Sequence, residues 1–100
     1  MHTGEFYFDW DENKNRKNIN KHNISFEEAV SVFFDEDALV KSDPDHSDGE
    51  DRFIILGKNL KADILVVCHC YRKSDRVIRL ISARKAVKSE VMQYWQQRYF

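Results

Sequence analysis

The sequence predicts one α+β domain, in which helices pack on a mostly antiparallel sheet with the element order β-α-α-β-β-β-α. Apolar residues alternate with polar ones in several short segments, as in strands, and elsewhere they recur at helical spacing. Short polar links between the last three strand-like segments predict antiparallel hairpins. With 100 residues, 42% of them hydrophobic, the chain can build one core, and we expect a single domain over residues 1–100.

The N-terminal part predicts a strand followed by a helix. Residues 5–10 alternate between apolar and polar side chains, which indicates a strand with one buried side. A helix follows over residues 12–22, and either Asp9 or Asp11 can cap it. Its four asparagines are weak helix formers, so packing must hold it in place. Asn23 tolerates the left-handed conformation and is a plausible stop.

A second, short helix and a loop are predicted next. Residues 25–28, Ser-Phe-Glu-Glu, have the form of a capping box, and apolar residues then follow at helical spacing. The helix leads into the acidic segment 35–51, where Pro44 and Gly49 predict a loop.

The second half of the chain predicts three strands and a C-terminal helix. The strands span residues 52–57, 64–71 and 77–82, and the helix begins at Ala83. If residues 58–63 and 72–76 form the hairpin loops, the strand register can be counted.

That register predicts a row of three polar residues on one face of the sheet. Arg52 faces His69, and His69 faces Arg79, at a spacing of about 5 Å between neighbours. Two arginines beside a histidine are unfavourable in a purely structural sheet. We therefore interpret the row as a candidate site for an anion.

Other cations also occur where folding does not require them. Arg79 interrupts an otherwise apolar strand. Arg84 and Lys85 fall at the predicted start of the C-terminal helix, where positive charge opposes the helix dipole.

This constellation suits metal-free cleavage of RNA. The 2′-hydroxyl attacks the neighbouring phosphate, which requires a base, a proton donor for the leaving oxygen, and cations on the phosphoryl oxygens. Histidine can serve as acid or base, and arginine matches the geometry of a phosphate. We therefore predict that His69 and the arginines carry the reaction. Glu50 could act as a base or hold an arginine in place.

Structural interpretations of the same residues remain open. A histidine on a strand is often a packed, hydrogen-bonded core residue, and Arg52 and Arg79 could pair with Glu50 and Asp51. Cys68 and Cys70 flank His69, but strand alternation points His69 away from both thiols. We therefore predict neither a metal site nor a cofactor.

Charge is segregated along the chain, although the formal net charge is only −1. Residues 35–51 are mostly acidic, whereas residues 14–21 and 72–88 are mostly basic, and such patches attract anionic partners. No apolar stretch has the length of a signal peptide or a membrane span, so we expect a cytoplasmic protein with no membrane partner.

Several segments together resemble the BrnT toxins of type II toxin–antitoxin systems, in the order in which that family has them. The segments are Phe8 to Asn15, Asn18-Ile19, Lys21-His22, Ile24 to Ala29, His46 to Arg52 and Ile78 to Ala86. Asn23 stands where the family usually has glycine, and asparagine also tolerates the left-handed conformation.

The resemblance implies a RelE/ParE-like fold and a bacterial, cytoplasmic ribonuclease that arrests translation. It also implies neutralisation by a ribbon-helix-helix antitoxin, BrnA, in a complex of two toxins and two antitoxins that represses its own operon by binding operator DNA. The matching active-site positions are Glu50, Arg72 and Arg84, and Lys21-His22 matches a further motif.

The candidate residues therefore come from two sources. The predicted catalytic set is Glu50, His69, Arg72, Arg79 and Arg84, and the predicted RNA-binding set is Lys21, His22, His46, Arg52 and Lys85. In the counted register Arg72 and Arg84 lie about 20 Å apart, which indicates either a different register or an extended RNA path. Two other functions stay open: a module that binds RNA or the ribosome without cutting, and an inactive homologue that acts with its antitoxin.

Overall fold

The structure is a computed structural model that describes residues 2–3, 6–46 and 49–97. Within them lie three α-helices: α1 (Glu12–His22), α2 (Phe26–Val30) and α3 (Lys88–Gln96). The described strands are β1 (His2–Thr3), β2 (Phe6–Asp9), β3 (Leu39–Ser42), β4 (Arg52–Lys58), β5 (Ile64–Arg72) and β6 (Val77–Lys85). Short 3₁₀ helices span Ser31–Phe34 and Pro44–His46. The predicted α+β class is confirmed.

The described strands form one mixed sheet in the order β1-β2-β6-β5-β4-β3. The β2–β6 pairing is parallel, and the other four pairings are antiparallel. Helices α1 and α2 cover the face that carries Val67 and His69, which we call the helix face. Helix α3 covers one end of the opposite face, which carries Arg52, Cys70 and Arg79 and which we call the open face.

The strand register differs from the predicted one, and the predicted row is wrong. Arg52 pairs with Cys70 instead of His69, and Cys70 pairs with Arg79. The reason is that β4 and β5 each continue one residue beyond the predicted ends, so the hairpin loops are residues 59–63 and 73–76. Because side chains alternate along a strand, a shift of one residue turns His69 to the helix face.

A β-bulge in β6 changes the alternation of side chains along that strand. Cys68 pairs with Ser82 and His69 with Leu80, so Ile81 is the extra residue. Beyond the bulge Ala83 is fully buried in the core. Arg84, opposite Val66, consequently lies on the open face, where a regular strand would have turned it inward.

The predicted change from strand to helix at Ala83 is also wrong. Strand β6 continues to Lys85, and Ala86 N–H donates to Ile64 O at 2.9 Å. The ladder with β5 satisfies these backbone groups, so the alanines do not start a helix. Helix α3 begins at Lys88, and its buried Tyr94 hydroxyl donates to Asp35 Oδ2 at 2.6 Å.

Two strands are absent from the predicted order. Strand β1 pairs with β2, and β3 pairs with the outer edge of β4 inside the segment predicted as a loop. Val40 on β3 is 52% exposed. Because this edge strand buries little apolar surface, its sequence has too weak an apolar alternation to predict a strand. Glu5, the first residue of the predicted N-terminal strand, and Ser47 and Asp48 lie outside the described residues.

The predicted starts of α1 and α2 are confirmed by their caps. Asp11 accepts hydrogen bonds from the first turn of α1, with Asn13 N–H at 2.8 Å, and Ser25 Oγ accepts from Glu28 N–H at 3.0 Å. Helix α1 ends at Asn23, which has a left-handed φ of 58°. Local chemistry therefore sets where these helices begin and where α1 ends.

Two buried asparagines supply the packing that the weak α1 sequence needs. Asn15 accepts a hydrogen bond from Phe26 N–H at 2.8 Å, which ties α1 to α2. Asn18 donates to Ala83 O at 2.7 Å and accepts from Ala83 N–H at 3.0 Å. Its amide thus replaces a neighbouring strand at the edge of β6, beyond the point where β2 ends. Helix α1 is fixed to the sheet next to the bulge.

We expect Asn18→Ala to lower the free energy of unfolding by about 2–3 kcal/mol, because it leaves the buried backbone groups of Ala83 without partners. Asn20→Ala, at an exposed position of the same helix, should leave stability unchanged or slightly raised. Urea unfolding of both variants measures the difference. Equal midpoints for the two variants would contradict the structural role of Asn18.

Candidate active site

The four arginines singled out in the sequence all lie on strand positions of the open face. Arg52 and Arg79 flank Cys70 across neighbouring strands, which places their backbones about 10 Å apart. Arg72 pairs with Val77 at one end of the β5–β6 ladder. Arg84 lies six positions further along β5, about 20 Å away from Arg72. The cations therefore form a band across the sheet.

Two of these arginines line the same depression, which we call the arginine pocket. It has a volume of about 260 Å³ and lies beside the bulge in β6. Its lining residues are Asp43, His46, Arg52, Ile54, Val66, Cys68, Ile81, Ser82 and Arg84. The pocket thus combines two guanidinium groups, an imidazole and a hydroxyl.

Arg84 is held by a two-pronged ion pair with Glu90. Its Nη1 and Nη2 donate to the two carboxylate oxygens at 2.8 and 2.9 Å. Glu90 also accepts from Val87 N–H at 2.8 Å, which caps the start of α3. The hydrogen bonds from Arg84 hold the pKa of Glu90 below its usual range. Arg84 is still 41% exposed, so it can meet a ligand while its orientation is fixed.

The imidazole of His46 is oriented by an aspartate of the same 3₁₀ turn. His46 Nδ1 lies 3.1 Å from both carboxylate oxygens of Asp43. Asp43 N–H in turn donates to Arg52 O at 2.8 Å, which fastens the turn to β4. Nε2 of His46 has no hydrogen bond to the residues that the structure describes. A carboxylate on Nδ1 with Nε2 left for another group is an arrangement used for proton transfer.

Glu50 and Arg72 pair with one another outside the arginine pocket. Arg72 Nη2 lies 3.3 Å from each carboxylate oxygen of Glu50, where β4 begins and β5 ends. Hydrogen bonding from Arg72 lowers the pKa of Glu50. Arg72 also lines a depression of about 560 Å³ with Arg76 and Lys73 of the hairpin loop. This end of the open face is basic, but it carries no histidine among the described lining residues.

Arg79 occupies the middle of the band and has a partner on the neighbouring strand. Its Nη1 donates to Asp9 Oδ2 at 2.7 Å, across the parallel β2–β6 pairing. An ion-pair interpretation of Arg79 was left open by the sequence, and the structure supports it with Asp9 in place of Glu50 or Asp51. Arg79 therefore contributes to the joint between β2 and β6.

His69 is part of the core. Its side chain is fully buried on the helix face, with its ring 4.9 Å from that of Phe33. Nδ1 lies 3.3 Å from Val67 O, and Nε2 lies 3.4 Å from the Tyr71 hydroxyl. Burial lowers the pKa of His69 to about 4, so the imidazole is neutral at pH 7. The prediction that His69 lies among the arginines is wrong, because the register turns it to the other face.

The remaining predicted RNA-binding residues are divided between two places. Lys21 and His22 line a depression of about 220 Å³ between α1 and β6, together with Ile81 and Ser82. Lys85 is exposed but pairs with Leu65, whose side chain is on the helix face. Alternation along the strand thus separates Lys85 from the arginine pocket.

Three residues of the pocket region escaped the sequence analysis. Asp43 was detectable, because Asp43-Pro44-Asp45-His46 has the turn sequence that places an acid three residues before a histidine. Ser82 reaches the pocket only because of the bulge, and Glu90 meets Arg84 only because β6 continues to Lys85. No local sequence signal marks either event.

Other classes of site find little support in the described part of the chain. No group of three metal-ligating side chains lies close enough together there to hold an ion. Cys68 and Cys70 are free, and burial raises the pKa of both thiols. None of the described helices is long and apolar enough to cross a bilayer.

A small α+β domain with a band of arginines and an oriented histidine on an exposed sheet face has the features of a protein that acts on a polyanion. Residues 10–90 match the family model described as the ribonuclease toxin, BrnT, of type II toxin–antitoxin systems, and the chain belongs to this family. It is therefore assigned to a family of endoribonucleases.

A solved structure supports the same assignment. The chain resembles the crystal structure of the Brucella abortus ribonuclease toxin, BrnT, with 25% identity and a TM-score of 0.57. The match covers 83% of this chain and 99% of that one. The comparison with curated proteins gives no match.

The buried His69 predicts acid sensitivity of the fold. Its pKa is about 4 in the folded state against 6.5 for a histidine in the unfolded chain, so the unfolded chain binds more protons between these values. The contribution of neutral His69 to the free energy of unfolding is complete above pH 6.5 and falls as the pH drops toward 4. We expect a loss of about 2 kcal/mol between pH 7 and pH 5.

Urea unfolding of the wild type and of His69→Phe at both pH values measures this contribution, because the other histidines are common to the two proteins. The variant should lack the loss of about 2 kcal/mol. Nuclear magnetic resonance titration of the His69 ring gives an independent measurement on the unmodified protein. A midpoint near 6.5 would contradict the assignment.

Proposed function

We propose that this chain is a metal-independent endoribonuclease toxin that cleaves RNA in the arginine pocket and thereby inhibits translation. The observation that carries the proposal is that His46, oriented by Asp43, lines the same pocket as Arg52 and Arg84. Family membership supports the reaction class, and the pocket supports the residues.

The proposed reaction is internal transfer at a phosphodiester. Nε2 of His46 accepts the proton of the 2′-hydroxyl, whose oxygen forms a bond to phosphorus. The bond from phosphorus to the 5′-oxygen breaks, and that oxygen takes a proton from water; the hydroxide left behind takes the proton that His46 holds, which restores the neutral imidazole. Arg52 and Arg84 stabilise the charge that develops on the non-bridging oxygens. The products are a 2′,3′-cyclic phosphate and a free 5′-hydroxyl.

The other predicted residues receive supporting roles in this proposal. Glu50 is a weak candidate for the base, because its carboxylate is paired with Arg72 and its pKa is lowered. We propose instead that it holds Arg72, which contacts the RNA chain beyond the pocket. Arg79 joins β2 to β6 between these two positions. His69 and Lys85 have no role in the proposed reaction.

We also propose the biological setting that the family implies. Type II membership implies a protein antitoxin, and we propose a ribbon-helix-helix protein of the BrnA type. Two toxins and two antitoxins would form a complex that represses its operon through operator DNA. The fold relation proposed for this toxin is RelE/ParE-like, and the proposed location is the bacterial cytoplasm, where its RNA substrate is found.

A second candidate function is RNA or ribosome binding without cleavage. The band of arginines on the open face favours it, because phosphate contacts alone can position RNA. An inactive homologue that works with its antitoxin in operon repression would have the same surface. Cleavage and binding must therefore be measured separately.

We expect His46→Ala and Arg84→Ala each to reduce the cleavage rate of a labelled RNA about 100-fold or more, because each removes a group that acts at the transition state. Arg16→Ala removes an exposed arginine of α1 that lines none of the cationic depressions, and it should retain activity. Binding of RNA to the His46 variant should stay close to that of the wild type.

The same variants distinguish the two candidate functions. Wild-type protein that binds RNA but produces no fragments would exclude the nuclease and favour the binding module. Fragments that persist in both pocket variants would place the reaction elsewhere. Growth arrest on induced expression, lost with Arg84→Ala and reversed by a co-expressed antitoxin, tests the toxin role in cells.

A further inference from the structure

The basic face of α1 carries lysines that form no ion pair within the part of the chain that the structure describes. Lys14, Lys17 and Lys21 are spaced by three and four residues, so they lie on one side of the helix. All three are exposed, and none forms an ion pair with a carboxylate of the residues that the structure describes. Like charges at this spacing destabilise a helix, and α1 is already weak by propensity. Lys21 in the last turn suits the helix dipole, but folding alone does not account for Lys14 and Lys17.

The orientation of this face is fixed. Asn18 lies between the lysines in sequence and is buried, and its side-chain amide forms hydrogen bonds with Ala83 and with Ile24 O. The helix therefore cannot turn its lysines away from β6.

The lysines line a depression that borders the arginine pocket. The depression has a volume of about 220 Å³ and is formed by Lys14, Lys17, Asn18, Lys21, His22, Ile81 and Ser82. Ile81 and Ser82, the residues at the bulge, also line the arginine pocket. One wall thus separates two cationic depressions, and a flexible polyanion can cross it from one to the other.

We propose that this depression, which we call the α1 subsite, binds a backbone phosphate of single-stranded RNA on one side of the cleaved bond. The inference rests on the proposed nuclease function for the identity of the chain that it holds. Lys14 and Lys17 supply the charge, Ser82 marks the crossing to the arginine pocket, and Asn18 positions the helix. Such contacts fix the register of the RNA without reading bases.

The test compares a variant that lacks two positive charges at the subsite with a control variant that lacks two positive charges elsewhere. The subsite variant is Lys14→Gln with Lys17→Gln. The control is Arg16→Gln with Lys61→Gln, which has the same net charge but changes residues that do not line either depression. Thermal unfolding verifies that both proteins fold like the wild type.

Binding is measured with a 2′-O-methyl oligonucleotide of about ten nucleotides, which lacks the attacking hydroxyl. We expect the subsite variant to bind about tenfold more weakly, and its plot of log affinity against log salt to be less steep by about 1.4, as for two phosphate contacts. The control should stay within about twofold of the wild type. Equal losses in both variants would overturn the subsite, because net charge alone would then explain the effect.

Cleavage gives the second readout. For a long RNA, KM should rise about tenfold in the subsite variant with kcat little changed, whereas a dinucleotide that fills only the arginine pocket should be cut equally by both proteins. Impaired dinucleotide cleavage would overturn the subsite, because the lysines would then act on the pocket itself. If the wild type cuts no RNA but the difference in binding between the two variants persists, the proposed nuclease function is excluded and the proposed RNA subsite is supported.

Discussion

The bulge at Ile81 in β6 is the constraint on which the candidate functional surface depends. A regular strand would place Ala83 on the open face and turn Arg84 toward the helices. One extra residue reverses this, so that alanine fills the core and arginine lines the pocket. The bulge also brings Ile81 and Ser82 to the boundary of two depressions. A single irregularity in the ladder thus assembles both parts of the cationic surface.

Two contacts keep that surface in one arrangement on either side of the bulge. The Asn18 side chain forms hydrogen bonds with both backbone groups of Ala83, so α1 covers the edge of β6 there. The same contact fixes the orientation of the basic side of α1. Glu90 accepts two hydrogen bonds from the Arg84 guanidinium and also accepts one from Val87 N–H, which caps α3. A long side chain loses much entropy when a ligand orders it, and an arginine ordered in advance avoids that loss. The fold therefore orders these charges in the absence of a ligand.

The features that a local sequence signal determines were predicted correctly, whereas the features that the pairing of strands determines were not. The starts of α1 and α2 followed from Asp11 and Ser25, and Asn23 ended the first helix as predicted. The register of β4, β5 and β6 depends on backbone ladders that extend beyond the apolar runs, and no residue type announces a bulge. His69 was misplaced for this reason, because its face follows from counting and an error of one residue reverses it. His46 was found, but its partner Asp43 was not.

The separation between Arg72 and Arg84 bears on the kind of substrate. Their backbones lie about 20 Å apart on one face, too far for both to contact a single phosphate. Each has its own carboxylate, so neither depends on the other for charge balance. A small anion could contact the arginine at one end of the band but could not reach the arginine at the other end. A chain of phosphates can contact Arg72, cross the sheet to the pocket at His46, and continue past Ser82 to α1, so the spacing of the cations itself favours a polymeric substrate.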